Sequence, residues 1–260
     1  MNMPAPTPKN IIHQTDPLID DALKTLTRGK GFRTRTTALD LSQIKKDDMK
    51  LSDLIVALWE QIRKNWEDSH CGSGGEQNWR WDLRTEISPV NDSKETRLEK
   101  ALAAKLPSDW ANQIPTSSGL VRSGADRKRN VDLAHWNGID EVTMIELKIA
   151  SDTPVYAAFE IVRNALLLCL ARSSGGKIKV VSEKQWLRHG LTANLRVLAP
   201  REYYKGFSLG WFEHELNSAV CTFGKTHDIA MNFHFRQFDQ SPTSADDLKT
   251  CLQDGKVYEL

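Results

Sequence analysis

Cysteine is scarce and scattered. The chain has four (Cys71, Cys169, Cys221 and Cys251), none in a CxxC spacing. That argues against a zinc ribbon or a disulfide framework and sets the expectation of a reduced, cytoplasmic compartment. Long apolar runs are also missing. The longest, residues 165–171, falls far short of the roughly 20 residues that span a bilayer. The first residues, Met-Asn-Met-Pro-Ala-Pro-Thr-Pro-Lys, lack the apolar stretch of a secretory signal. Neither sign of charge is in excess: 35 Lys and Arg stand against 34 Asp and Glu, a formal net charge of +1. Any nucleic-acid surface must therefore be a local patch. The phosphate-loop order GxxxxGK[ST] is absent too. The basic, Gly-punctuated run Arg28-Gly-Lys30-Gly-Phe-Arg33-Thr-Arg35 suits a phosphate contact or a solvated loop equally. No internal repeat is visible.

What remains is an ordinary globular composition, 40% hydrophobic and 27% charged over 260 residues, enough for one large domain or a core with an accessory segment. The expected division is a Pro-rich disordered tail over 1–16, an accessory, mainly helical segment over 17–90, and a core with a C-terminal extension over 91–260. Helical spacing of Leu54, Ile55, Leu58, Ile62 and Trp66 predicts a helix over 52–66, with Ser52 as cap. Trp79-Arg-Trp81-Asp-Leu-Arg84 alternates as a strand or extended arm does. A second helix is predicted over 92–106, capped by Asp92 with Glu95 three residues on. Its apolar stripe is Leu98, Leu102 and Leu106. On a helical wheel Glu95 lies about 20° from the centre of that stripe and Glu99 about 60° from it, so both acids face inward.

Further strands are expected over 119–125 and 128–136, then over 142–149. A long helix should follow, capped by Thr153 with Pro154 at its first position. This helix is apolar nearly all round to about Arg172, apart from Tyr156, Glu160, Arg163 and Asn164 on one face. Strands over 177–181 and 194–198 would complete strand–helix–strand crossovers. A helix over 207–223 and a strand over 229–238 close the chain. The class is α/β.

The centre of the chain is Arg129-Asn-Val-Asp132-Leu-Ala-His-Trp-Asn-Gly-Ile-Asp-Glu-Val-Thr-Met-Ile-Glu146-Leu-Lys148. Period-2 alternation puts Ile145, Leu147 and Ile149 on one face and Glu146 with Lys148 on the other. A two-residue turn at Asn137-Gly138 would leave Asp132 and Glu146 on opposite faces. A five-residue connection over 137–141 sets the two acids directly across from each other, and a three-residue loop with Gly138 left-handed restores the same parity. The simplest hairpin is therefore not expected.

Asp132…Glu146-Leu-Lys148 resembles the PD-(D/E)xK motif of the restriction-endonuclease-like nucleases, with Val131 where the motif has proline. The resemblance covers roughly residues 92–198. It implies an αβββαβ core with a central mixed sheet flanked by helices. It also implies a metal-dependent deoxyribonuclease, acting in bacterial defence or nucleic-acid processing. Asp132, Glu146 and the Leu147 carbonyl would hold Mg2+, for which Mn2+ would substitute. Lys148 would be catalytic, and Glu95 (Glu99 being the alternative) would be the acid from the first core helix. Neighbouring anions should keep Lys148 protonated. Arg127, Lys128 and Arg129, in a basic turn, and Arg163 with Asn164 are the candidate nucleic-acid contacts. DNA is favoured over RNA as partner, and a homodimer is in keeping with enzymes that cut both strands. A catalytically inactive nucleic-acid-binding or scaffold protein on the same fold is the alternative.

Overall fold

The computed structural model describes residues 9–24, 31–33, 50–87, 93–121, 129–180 and 192–254. Asp92, Arg127, Lys128, most of the 28–35 run, the second half of the 119–125 strand and residue 181 lie outside the described residues.

Five strands form one open mixed sheet in sequence order: β1 (Trp110–Pro115), β2 (Asn130–Trp136), β3 (Glu141–Leu147), β4 (Thr192–Pro200) and β5 (Ala230–Phe238). β1–β2 and β2–β3 pair antiparallel, and β3–β4 and β4–β5 pair parallel. Parallel neighbours need a crossover. The first is α4 (Pro154–Ser173); the second is the short α5 (Arg201–Tyr204) followed by α6 (Gly210–Lys225). Before the sheet come α1 (Thr15–Ala22), α2 (Leu51–Asp68) and α3 (Lys94–Ala103), and α7 (Ala245–Asp254) follows it.

Two apolar cores separate the layers. Val142, Met144, Leu195, Val197, Phe233 and Phe235 pack with α1, α2, α4 and α6 on one side. Leu133, Ile145, Leu147 and Leu198 meet Leu102 of α3 and Leu248 of α7 on the other. With both faces covered, β3 is buried at nearly every position. α4 begins as expected, its Thr153 hydroxyl accepting from the Tyr156 N–H and Pro154 in the first turn. It is long and apolar enough to cross a membrane by composition, but 94% of its most apolar stretch is buried inside the protein. α4 is the central core helix.

β5 is an edge strand, and α6 covers that edge. Glu213 and Asn217 accept from the Phe235 and Phe233 N–H groups, and the Cys221 thiol donates to the Met231 carbonyl. Those three side chains recur every fourth residue, so one helical stripe satisfies backbone that would otherwise template pairing with another chain.

Several expectations need correction. The first strand is β1, and the described start of the strand expected over 119–125 is a turn, with the Leu120 N–H on the Ser117 carbonyl and Gly119 at φ +75°. Residues 177–180 form no strand, and β4 is the partner that receives the crossover from β3. α2 takes no side-chain cap from Ser52, because the helix already starts at Leu51. The 1–16 tail does not extend over residues 9–16. Ile11 is fully buried, and Asn65 of α2 donates to the Ile11 and His13 carbonyls. Within the 17–90 segment, Leu58, Trp66 and Trp79 pack in the core of α4.

The Gly-rich loop after α2 laces onto the 117–120 turn through Gly75 N–H and Asn78 to the Ser118 carbonyl. A Cβ on Gly72 would stand 2.5 Å from the carbonyl oxygens of Gly119 and Leu120. Gly72→Ala is expected to cost about 1–3 kcal/mol in a denaturant midpoint, because backbone atoms on both sides must yield. An unchanged midpoint would show that the crossing is loose.

Candidate functional site

The ladder between β2 and β3 pairs Trp136 with Val142 and Leu133 with Ile145. Residues 137–141 make the five-residue connection, closed by Asn137, whose side chain accepts from the Ile139 and Glu141 N–H groups. One step beyond the Leu133–Ile145 pair, this register sets Asp132 opposite Glu146. There the Asp132 carboxylate takes the Leu147 N–H at 2.9 Å and lies close enough to Glu146 for each carboxyl to influence the other's charge. The two acids converge. Across β1 the pairing skips one step, between Asn112↔Leu133 and Ile114↔Val131. The residue at that step is Gln113, held at φ +46°. Backbone strain of this kind, beside Asp132, is stored where surrounding contacts over-determine it.

Lys148 lies on the same face as Glu146. Its ammonium is 2.9 Å from Glu146 Oε1 and 2.7 Å from Glu160 Oε2 on α4. Burial alone would lower its pKa, but Glu146, Glu160 and Asp132 outweigh that and raise it well above the ordinary lysine value. Lys148 is an ammonium at any physiological pH. Glu146 is 5% exposed. Burial first, then repulsion from Asp132 and Glu160, lifts its carboxyl well above 4.5, with Lys148 offsetting part. Asp132 is also raised, by burial, against the pull of Lys148 and the Leu147 N–H. Without a divalent cation, burial and mutual repulsion push these acids towards their protonated forms.

The two helix acids divide their work. The cap of α3 is Ser93, whose hydroxyl accepts from the Thr96 N–H. Glu95 does not close a capping box. Its Oε1 accepts from the Ile149, Ala150 and Ser151 N–H groups at 3.2 Å each. Burial pushes its pKa up, but these backbone donors win and hold it at about 2. Glu95 thus pins the loop between Lys148 and α4. Glu99 is buried and accepts from Asn112 and Gln113. Burial and the nearby Asp132 push it to about 7. Glu95→Gln should cost about 1–2 kcal/mol at pH 7, the three charge-assisted bonds being discounted for partial exposure. Because the folded pKa is depressed, the contribution is present above 4.5 and lost as the pH falls towards about 2. Melting curves of both proteins should converge over that window.

All of these residues line one cleft of about 340 Å³, together with Gln113, Arg129, Asn130, Arg163 and Asn164. Asn164 has a structural task there, accepting from Thr116 and donating to the Asn130 carbonyl. Arg163 is bound to Asp16 of α1. The sequence marks Glu160 only as one of four polar residues on one face of α4, without a role of its own; the structure sets it against the Lys148 ammonium.

The donor set suits a magnesium ion. Two convergent carboxylates, with Leu147 lining the same cleft, match a cation that takes few protein oxygens and keeps several waters. Among the described residues no group of three or more His, Cys, Asp and Glu could hold an ion. A magnesium site built on two carboxylates and water does not require one. No protein-family model matches the chain, and no curated protein and no solved structure does either.

Proposed function

We propose that the protein is a metal-dependent nuclease of the PD-(D/E)xK type, hydrolysing phosphodiester bonds of DNA. The observation that carries the reading is the register of β2 on β3, which brings Asp132 to Glu146 with Lys148 clamped beside them between Glu146 and Glu160. The order α3-β1-β2-β3-α4-β4 supports it, being the αβββαβ order of the restriction-endonuclease-like core.

A magnesium ion bound there would supply the charge clamp on the phosphate and an acidified water. The chain's residues do the rest. Asp132 and Glu146 bind the ion through their carboxylates. Lys148 has three N–H donors, two of them held by acids, so one is left to stabilise the negative phosphate oxygens of the transition state. It donates as a cation and is no base, since its pKa is raised. Glu146 and Glu160 hold the ammonium in place beforehand, so no reorganisation is needed at the moment of reaction. Glu95 and α3 fix the adjoining loop.

Plasmid DNA incubated with the protein and Mg2+, with and without chelator, tests the reading. Cleavage that needs the metal, continues with Mn2+ and is lost in Asp132→Asn is the expected result. Salt-dependent DNA binding with no cleavage in any metal would assign the fold to a binding protein instead.

A further inference from the structure

Arg163 sits midway along α4 with its side chain only 2% exposed, lining the cleft beside Lys148 and Asn130. Its Nη2 donates to Asp16 Oδ1 of α1, and the other oxygen of that carboxylate takes Arg33 Nη2 at 2.6 Å. Among the described residues, Arg163 Nε and Nη1 are buried and have no acceptor. Arg33 in turn lies over the Tyr156 ring at 4.4 Å, and Arg163 stands 6.0 Å from the Phe32 ring. Aromatic faces thus hold both guanidiniums in place.

Two guanidiniums therefore share one carboxylate. Both Asp16 oxygens are spent on one N–H each, so they leave the inner edge of Arg163 unmatched. A tetrahedral phosphate has more oxygens than a carboxylate, and the planar guanidinium fork binds such a group bidentately. We infer that Arg163 and Arg33 form a seat for a phosphate group, with Asp16 as an intramolecular stand-in that the phosphate displaces. Arg163 joins the seat to the cleft proposed for phosphodiester chemistry, which it lines, and the choice of phosphate as its ligand rests on that reading. α1 is then more than scaffold, because its Asp16 tunes how tightly the cleft takes an anion.

Calorimetric titration of the full chain, in chelator and at fixed ionic strength, tests this with two probes. One is inorganic phosphate; the other is a short single-stranded DNA without terminal phosphates. Asp16→Asn is expected to tighten phosphate binding about tenfold, in line with removing a competing charge from a phosphate-binding guanidinium. Adding Arg163→Gln to that variant should abolish the gain. Tightening of the DNA as well assigns the seat to backbone phosphates, and tightening of phosphate alone assigns it to the free ion. Equal phosphate affinity in Asp16→Asn and the double variant would overturn the seat. Should Asp16→Asn not fold, the exposed Arg33→Gln decides: binding by the otherwise unaltered protein weakens several-fold if the seat exists, and an unchanged affinity removes it. The readout is metal-free binding. A failed plasmid assay leaves a positive result standing, and cleavage with no Asp16 effect sinks the seat alone.

Discussion

Lys148→Ala is expected to lower metal-dependent cleavage of plasmid DNA by about 10²–10³-fold, the usual loss when one donor aimed at developing charge is removed. It should also destabilise the protein, and the two effects have one cause. Lys148 is the cation that three acids surround, with Glu146 at 2.9 Å and Glu160 at 2.7 Å. Removing one partner of a buried pair costs about 3–5 kcal/mol, because the other charge is left without compensation. Here the acids escape part of that cost by taking up protons. Their folded pKa values are already raised, and losing Lys148 raises them further. A carboxyl with a raised folded pKa stabilises the fold below its unfolded value and loses that contribution as the pH climbs through the folded value. The penalty of Lys148→Ala should therefore be small near pH 5 and large near pH 8. Lys148→Arg separates the roles: it should restore much of the stability and little of the cleavage, since a planar fork does not reproduce a compact ammonium. A variant as stable as the parent at pH 8 would mean the acids are solvated and no cluster exists.

The part of this site legible in the sequence was the part that parity controls. Alternation on β3 placed Glu146 and Lys148 together, and counting the 137–141 connection placed Asp132 across from Glu146, as the ladder does. The start of α4 was equally legible, because Thr153 and Pro154 act locally. Non-local support was not legible. β1, Trp-Ala-Asn-Gln-Ile-Pro, shows no alternation, because Asn112 and Gln113 face acids and lysine instead of solvent or apolar core. Residues 177–180 carry strand-like composition, yet the Lys179 N–H goes to the Ser73 carbonyl in a loop, and no ladder forms. Helix α7 follows the 229–238 strand that was expected to close the chain, and was not among the expected elements; its start is fixed by Ser244 and Asp247, whose side chain and backbone exchange cap bonds around Thr243. Its apolar stripe is too short to stand out. The inward tilt of Glu95 was visible, but its partners are backbone N–H groups more than fifty residues away, which no spacing records.

Glu146→Gln should reverse the order of stability on adding metal. Burial and two acid neighbours raise the Glu146 pKa well above 4.5 even with Lys148 pulling the other way, so the neutral form is the one the metal-free fold prefers. The amide is neutral at every pH and keeps an oxygen for the Lys148 ammonium and an N–H for Asp132. In chelator at pH 8 the variant is therefore expected to be more stable than the parent, because the amide avoids the cost of a buried, repelled carboxylate. The gap should close as the pH falls to 4.5, where the parent carboxyl is protonated in the folded state. Saturating Mg2+ stabilises whichever protein binds it, by about 2.7 kcal/mol at a hundredfold excess over the dissociation constant. The parent should gain that increment and Glu146→Gln little of it, so the melting curves should change places between chelator and metal. Equal gains in both proteins would place the ion elsewhere. A variant less stable than the parent in chelator at every pH would show that Glu146 is held as a carboxylate by Lys148, with no strain for a cation to relieve.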